Sequence, residues 1–542
     1  MCDTRNVSIT ISAMNNSHND VPLTNTKMAM IEDTNLSETA KYKKENILKT
    51  VSENFEEFSR NTSIHGFKYL GAYKGCTLEK IWWFMVLCGC IYLCAVLTNT
   101  TLKKRDENPV FISFGQSPMR IWDIPFPAVT ICPAVKLKSK YSFQQYADRC
   151  RRNNLTSEEL QLFMHINLFC RTANKYCALP MSEHRPDHAS IDYLIERAPS
   201  INDLLVFCVM NIKHFPCNES FSPVLTSAGL CFTLNMLDQS EFYENITYIP
   251  ANHMKHMTIR NWSMDNNYIK TLNFTVPVRF TKITDSLYFQ LQTSHTDQLC
   301  EEYRGFKILL HHPAETPALA NRYLLLSNDV SYKIWIKPDI TTTAANLQDY
   351  YPHRRGCFFS NERKLKFYKI YTEENCKLEC ISNFTISRCG CALYYAPHEV
   401  STRICGFADH SCVIQVKEQF LSLEMKLEIF ENDLNDKYLE ETCDCLPSCT
   451  SIVYNAEASP EHDSVSPQNG TSHTTLRMTF KDAKFVTMER NELFSNADCW
   501  ASCGGLLGLF TGFSVVSFAE IVYFSTLRWI CNLWGKRKRI FC

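Results

Sequence analysis

The residues able to do chemistry stand close together near the end of the chain. Ala501 to Ser514 carries four glycines, Gly504, Gly505, Gly508 and Gly512, among apolar residues and hydroxyls, and Glu520 follows in an otherwise uncharged run. Glycines in an apolar segment serve either close helix packing or a break whose carbonyls line a water-filled path. On the glycines alone both readings stay open. Glu520 shifts the balance, because a carboxylate near mid-membrane costs on the order of 3 kcal/mol and so faces a bundle interior or an aqueous cavity. Repeated around an oligomer, such carboxylates and backbone oxygens favour cations. Gly512, Val516 and Glu520, spaced by four, share one face if the helix is continuous there.

No catalytic constellation competes with this segment. The phosphate-cradling GxxxxGK[ST] and the nucleophile elbow GxSxG are missing from the sequence. His184 and His188 have the spacing of a metal-binding pair, but Pro186 between them breaks the helix that would align the rings, so this stretch reads as a loop. Cys376 and Cys380, Cys389 and Cys391, and Cys443, Cys445 and Cys449 have spacings that suit zinc thiolates, yet in an oxidising compartment they read as disulfides. The chain is thus expected to be no enzyme and to hold no metal or cofactor. Lys+Arg 56 against Asp+Glu 57 leaves a net charge of -1, which removes a general electrostatic case for nucleic acid.

Positioning such a segment requires a membrane. Ile81 to Leu102 is uncharged over 22 positions, roughly 33 Å of helix at about 1.5 Å per residue. Cys499 to Ala519 is uncharged over 21 positions, and after Glu520 the run Ile521 to Leu527 is uncharged again. Both read as spans. Met1 to Arg60 is polar without a signal-peptide core, so the first span acts as its own anchor. Eighteen of the 27 cysteines lie between the spans, with seven Asn-x-Ser/Thr sequons at Asn154, Asn218, Asn245, Asn261, Asn273, Asn383 and Asn469. That middle region reads as oxidised and extracellular, which puts both termini in the cytosol. The cluster Lys536 to Arg539 against the inner leaflet agrees.

Within the middle region the periodicities are mixed. Phe420, Leu423, Leu427, Phe430 and Leu434 predict an amphipathic helix, and Thr156 with Glu159 predicts a capping box at the start of another. Leu476, Met478 and Phe480 alternate with polar residues and predict a half-buried strand. The fold class is therefore a membrane protein with two transmembrane helices flanking a large, disulfide-rich α+β extracellular domain. The expected boundaries are a cytosolic 1–79, a first span 80–102, an ectodomain 103–498, a pore segment and second span 499–529, and a basic tail 530–542.

The arrangement resembles the degenerin/epithelial sodium channel family, its insect pickpocket-like branch in particular. Four separated motifs carry the resemblance: His65-Gly66, Phe126 to Pro133 (FPAVTICP), the cysteine array from Cys376 to Cys449, and Gly504 to Glu520. It implies a plasma-membrane trimer, of this chain or with related subunits, whose ectodomain has palm, finger and thumb parts. It further implies a selectivity filter at Gly512-Phe513-Ser514, a pore acid at Glu520, gating roles for His65, Gly66 and Ala501, and an amiloride-blocker position at Gly508. The family's pairing would join Cys132 to Cys231, Cys208 to Cys217, Cys357 to Cys449, Cys376 to Cys445, Cys380 to Cys443, Cys389 to Cys412 and Cys391 to Cys405. It leaves Cys150, Cys170, Cys177 and Cys300 unassigned. The middle filter residue is small in vertebrate sodium-selective members and is Phe513 here.

The function implied is a stimulus-gated, amiloride-sensitive sodium channel subunit with a sensory role, in which the ectodomain moves the Leu476 to Phe480 strand and so pulls on the second span. The stimulus is not written in the sequence; acids such as Glu301, Glu302, Glu373 and Glu374 read as solvated surface. The alternative is a two-span receptor or adhesion subunit without conduction, whose glycines only pack helices. A trimeric nucleotide-gated channel differs in cysteine pattern and filter.

Overall fold

The computed structural model describes the chain except residues 1–50, 72–75, 139–142, 153, 167, 170–184, 251–276, 295–302, 319–321, 430–442, 462–469, 529 and 532–542. It divides into two compact units, Met1–Glu107 with Phe494–Cys542, and Asn108–Leu493. Asn261, Asn273, Asn469, Cys170, Cys177, Cys300, Glu301, Glu302, His184, Phe430, Leu434 and the basic tail lie outside the described residues.

The first unit is helical: α1 (51–61), α2 (Phe67–Gly71), α3 (Thr77–Glu107) and, at its far end, α9 (Asn496–Thr511) and α10 (Val515–Ser525). The 31 residues of α3 span about 46 Å, so polar turns at both ends extend the expected 80–102 stretch. Its large side chains point outward, Trp82 and Tyr92 each at 68% exposure, and Cys94 is the buried one. By length and composition α3 can cross a membrane, and α9 with α10 can do so as a single bent span. Arg105 Nη2 donates to Asn496 Oδ1 at 2.7 Å, joining the end of α3 to the start of α9.

In the second unit an eight-stranded sheet runs in the order β1 (Val110–Phe114), β15 (Met488–Glu492), β11 (Ser331–Thr343), β13 (Thr471–Phe480), β8 (Leu287–Ser294), β4 (Leu205–Met210) and β5 (Lys213–Phe215), with β12 (Ser451–Glu461) pairing β11 off this path. A five-stranded sheet runs β10 (Leu324–Leu326), β9 (Phe306–His311), β3 (Ala128–Pro133), β7 (Gly229–Leu234) and β6 (Phe221–Thr226). A two-stranded ribbon pairs β2 (Met119–Arg120) with β14 (Lys484–Phe485). The FPAVTICP motif makes β3, buried at every position and paired antiparallel with β7 and β9; its polar side chain, Thr130, is satisfied by donating to Thr233 Oγ1 at 3.0 Å. Phe126 stacks on Phe280 at 4.2 Å and meets Phe480 edge-on at 5.8 Å, joining that motif to β13.

Leu476, Met478 and Phe480 are buried in β13 as the alternation predicts, although Thr479 between them is buried too, donating to the Asp285 carbonyl at 3.0 Å. The position of β13 corrects the expected link to the second apolar segment. It is an interior strand, parallel to β11 and antiparallel to β8. The strand that leads into α9 is β15, and it pairs with β1, the strand that follows α3, from Val110↔Glu492 to Phe114↔Met488.

Helices of this unit are α4 (Phe143–Arg151), α5 (Ser157–Ile166), α6 (His188–Arg197), α7 (Glu373–Cys389) and α8 (His410–Ile429), besides single turns. The Thr156 capping box forms: Thr156 Oγ1 accepts from Glu159 N at 3.3 Å, and Glu159 accepts from Thr156 N at 3.1 Å. The amphipathic helix starts earlier than Phe420, at His410; of the apolar residues in its first half, Val416 is buried while Ile414 is exposed, so no clean stripe marks the start. His188 is not in a loop: it opens α6, with Asp187 capping the helix by accepting from Ser190 N at 2.8 Å.

Seven disulfides have both partners described: Cys132–Cys231, Cys208–Cys217, Cys357–Cys449, Cys376–Cys445, Cys380–Cys443, Cys389–Cys412 and Cys391–Cys405. These are the pairs that the resemblance implies, and Cys150 is disulfide-bonded as well. Cys391, Cys405 and Asp409 cluster closely enough for a metal, but the two sulfurs are bonded to each other and Asp409 is held by Arg403 at 2.7 and 3.0 Å. Asn154, Asn218, Asn245 and Asn383 are exposed.

Candidate pore site

The apolar helix carrying the glycines breaks at the motif's centre. Ser495 caps the start of α9 by accepting from Asp498 N at 3.1 Å. At the other end Gly512 adopts φ 68°, with its N–H donating to the Gly508 carbonyl at 2.9 Å, a left-handed helix stop that suits glycine. Ser514 then caps α10, accepting from Ser517 N at 3.3 Å. The two helices are bent by 69°. Gly512 therefore does not share a continuous helical face with Val516 and Glu520, as uninterrupted spacing would have it; those two still lie one turn apart on α10.

The break is occupied by the turn that precedes α2. His65 N donates to the Thr511 carbonyl at 2.9 Å, and the His65 ring lies over Gly512, where an added Cβ would fall 2.8 Å from ring atoms. Gly66 holds φ 84°, the left-handed turn that brings His65 into place. Ser63 and Ser517 share a hydroxyl hydrogen bond of 2.7 Å, and Ser517 is fully buried. Glu520 Oε2 accepts from Ser63 N at 2.9 Å, from Ser63 Oγ at 3.1 Å and from Thr62 Oγ1 at 3.5 Å. Below them Phe58 packs edge-on to Phe524 at 5.6 Å, and Arg528 Nε donates to Glu57 Oε1 at 3.0 Å.

The structure thus unites most of the residues picked out in the sequence. His65, Gly66, Gly512, Phe513, Ser514 and Glu520 form one locus, and Gly508 lies one turn above it on α9. Ala501 sits apart, exposed near the start of α9. Sequence reasoning missed Thr62, Ser63 and Ser517, the hydroxyls that tether Glu520. Their signal is only that serines and threonines precede His-Gly and follow the filter, and Ser63 and Glu520 are 457 residues apart.

The unit's cysteines add a chemical distinction. Every described cysteine of Asn108–Leu493 is disulfide-bonded, whereas Cys76, Cys88, Cys90, Cys94, Cys499, Cys503 and Cys531 of the helical unit are free.

A helical unit with a carboxylate tethered beside a glycine break is thus joined to a disulfide-bonded domain, and likeness to known chains gives the class: an ion channel rather than an enzyme. The chain belongs to the amiloride-sensitive sodium channel family, whose sequence model matches residues 58–524. Within it the chain falls in the insect pickpocket-like branch: it is 25% identical to pickpocket protein 28 of Drosophila melanogaster, over 89% of this chain and 80% of that protein. It is also 20% identical to the sodium channel protein Nach of the same species (87% and 86% covered) and 19% identical to human acid-sensing ion channel 2 (86% and 84%). A solved proton-activated chloride channel aligns over 83% of this chain and 97% of its own, at 8% identity and a TM-score of 0.25, too low to carry an argument.

Proposed function

We propose that this chain is a subunit of a gated sodium channel of the plasma membrane, assembled as a trimer of itself or with related subunits. In this reading α3 and the α9–α10 pair are the two spans, residues 103–498 are extracellular, and both termini are cytosolic. The observation that carries it is the docking of the His65-Gly66 turn onto the break at Gly512, with Glu520 tethered alongside. A helix that merely anchors has no use for such a break. Three copies would place Gly512 carbonyls, Ser514 hydroxyls and Glu520 carboxylates around an axis, a path suited to a partly dehydrated cation. The division between bonded and free cysteines supports an extracellular second unit. Because β1 and β15 pair, displacement of that ladder reaches both spans through short connections, which replaces β13 as the coupling strand.

The direct test is current recording in oocytes with surface expression measured in parallel. Ala501→Val should give constitutive sodium current that amiloride blocks. Surface-expressed variant without current, alone or with any related subunit, would favour the non-conducting receptor and sink the pore reading.

A further inference from the structure

Beside the first half of α8 the second unit is not filled. A cavity of about 130 Å3 opens between α5 and α8. Met164 of α5 and Leu168 just past it form one wall, and Leu393, Tyr394, Phe407 and Val413 form the other. Ile414 lines the cavity while staying 41% exposed, which places it at the mouth. A cavity of about 150 Å3 holds a benzene, so this one admits a single ring or a chain of roughly six carbons. Two disulfides fix the second wall in advance: Cys391–Cys405, whose Cys405 lines the cavity, and Cys389–Cys412, which staples the first turn of α8 to the end of α7. Two donors converge on this apolar space. Lys417 Nζ donates to the Tyr395 hydroxyl at 3.0 Å and stands 5.6 Å from the centre of that ring, and both residues line the cavity. An ammonium has three N–H donors, of which Tyr395 takes one. Among the described residues no carboxylate pairs with Lys417, and none accepts the proton of the Tyr395 hydroxyl. Asp409, beside the Phe407 wall, is held by Arg403 at 2.7 and 3.0 Å.

We propose that this cavity binds a small amphiphilic carboxylate, one apolar ring or short alkyl chain bearing a single anionic group. The apolar part fills the space between Met164 and Val413, and the carboxylate accepts from Lys417 Nζ and from the Tyr395 hydroxyl. An apolar pocket with a few convergent polar groups is the usual form of a small-molecule site, the walls supplying affinity and the polar groups orientation. The lone ammonium selects an anion and repels a cation, and the narrow volume rejects a fused ring system. A bound molecule joins α5 to the disulfide-fixed wall. The site consists of second-unit residues alone and does not rest on the pore reading.

The test uses purified full-length protein in lipid nanodiscs, with phenylacetate as the anionic probe, phenylacetamide as its neutral counterpart, and empty nanodiscs as the blank. Calorimetric titration should show one phenylacetate per chain, held about tenfold more tightly than the amide, the worth of a charge-assisted hydrogen bond. Lys417→Gln keeps an N–H for Tyr395 but loses the charge, and should bind the two probes alike. Val413→Phe fills the cavity and should bind neither. Lys417→Gln removes no buried apolar contact, so the test stands on it even where Val413→Phe lowers thermal stability. No saturable phenylacetate binding by wild type, or an undiminished preference for the anion in Lys417→Gln, overturns the proposal, as does full binding by folded Val413→Phe.

Discussion

Gly512 answers to two constraints at once. Its φ of 68° costs a non-glycine residue about 1–2 kcal/mol, and the His65 ring leaves no room for a Cβ. Gly512→Ala should therefore undock the His65 turn and cut sodium current about tenfold or more at equal surface density, with altered ion selectivity in what remains. Normal permeation in that variant would remove the break from the filter. His65→Ala in the same background should relieve the crowding but not the backbone strain, restoring current only in part. The type of each of these residues was legible in the sequence, because glycine and glutamate are conspicuous in an apolar run. Their contacts were not: the proton donors to Glu520 come from Thr62 and Ser63, at the other end of the chain.

Between elements, the junction of β9 with α7 holds an acid that burial keeps uncharged well above the usual carboxylate range. Asn375, fully buried in the first turn of α7, accepts from Thr316 N at 2.9 Å and donates to the Ala314 carbonyl at 2.9 Å, clamping the turn after β9 to the helix. Beside it, burial first, then Glu374 and Glu373, push the Glu315 carboxyl up to about 8, while the His312 N–H opposes the shift. A carboxyl whose folded value is raised from 4.5 contributes its full stability below that pH and loses it as pH climbs through about 8. The protein should therefore unfold at lower temperature at pH 9 than at pH 6, and Glu315→Gln should flatten that difference. A pH-independent wild type, or a variant with the same slope, would refute the assignment. Elements set by neighbours in sequence were readable, as the Thr156–Glu159 box and the alternation in β13 show. Strand order was not, because the interior place of β13 depends on pairing with β11 and β8, and the start of α8 was hidden by a first half whose apolar residues form no single stripe, Val416 being buried and Ile414 exposed.

At the scale of the whole molecule, the two units differ in redox chemistry. The disulfides close long loops, Cys132–Cys231 over 99 residues and Cys357–Cys449 over 92, where chain-entropy arguments give the largest stabilisation, about 4–5 kcal/mol. Cys357→Ser with Cys449→Ser should reduce surface delivery severalfold while leaving the single-channel conductance of molecules that arrive unchanged; altered conductance would mean the bond shapes the pore directly. The pairing of these cysteines could not be read from their spacing, and came only through likeness to other chains. The ladder from Val110↔Glu492 to Phe114↔Met488 has a consequence of another kind. Antiparallel partners lie about 5 Å apart, so the second unit leaves and rejoins the chain at adjacent points, as an insertion does. It should behave as an exchangeable cassette: residues 108–493, secreted alone or transplanted between related helices, should fold with their disulfides formed, because among the described residues every strand of their sheets lies within the excised piece.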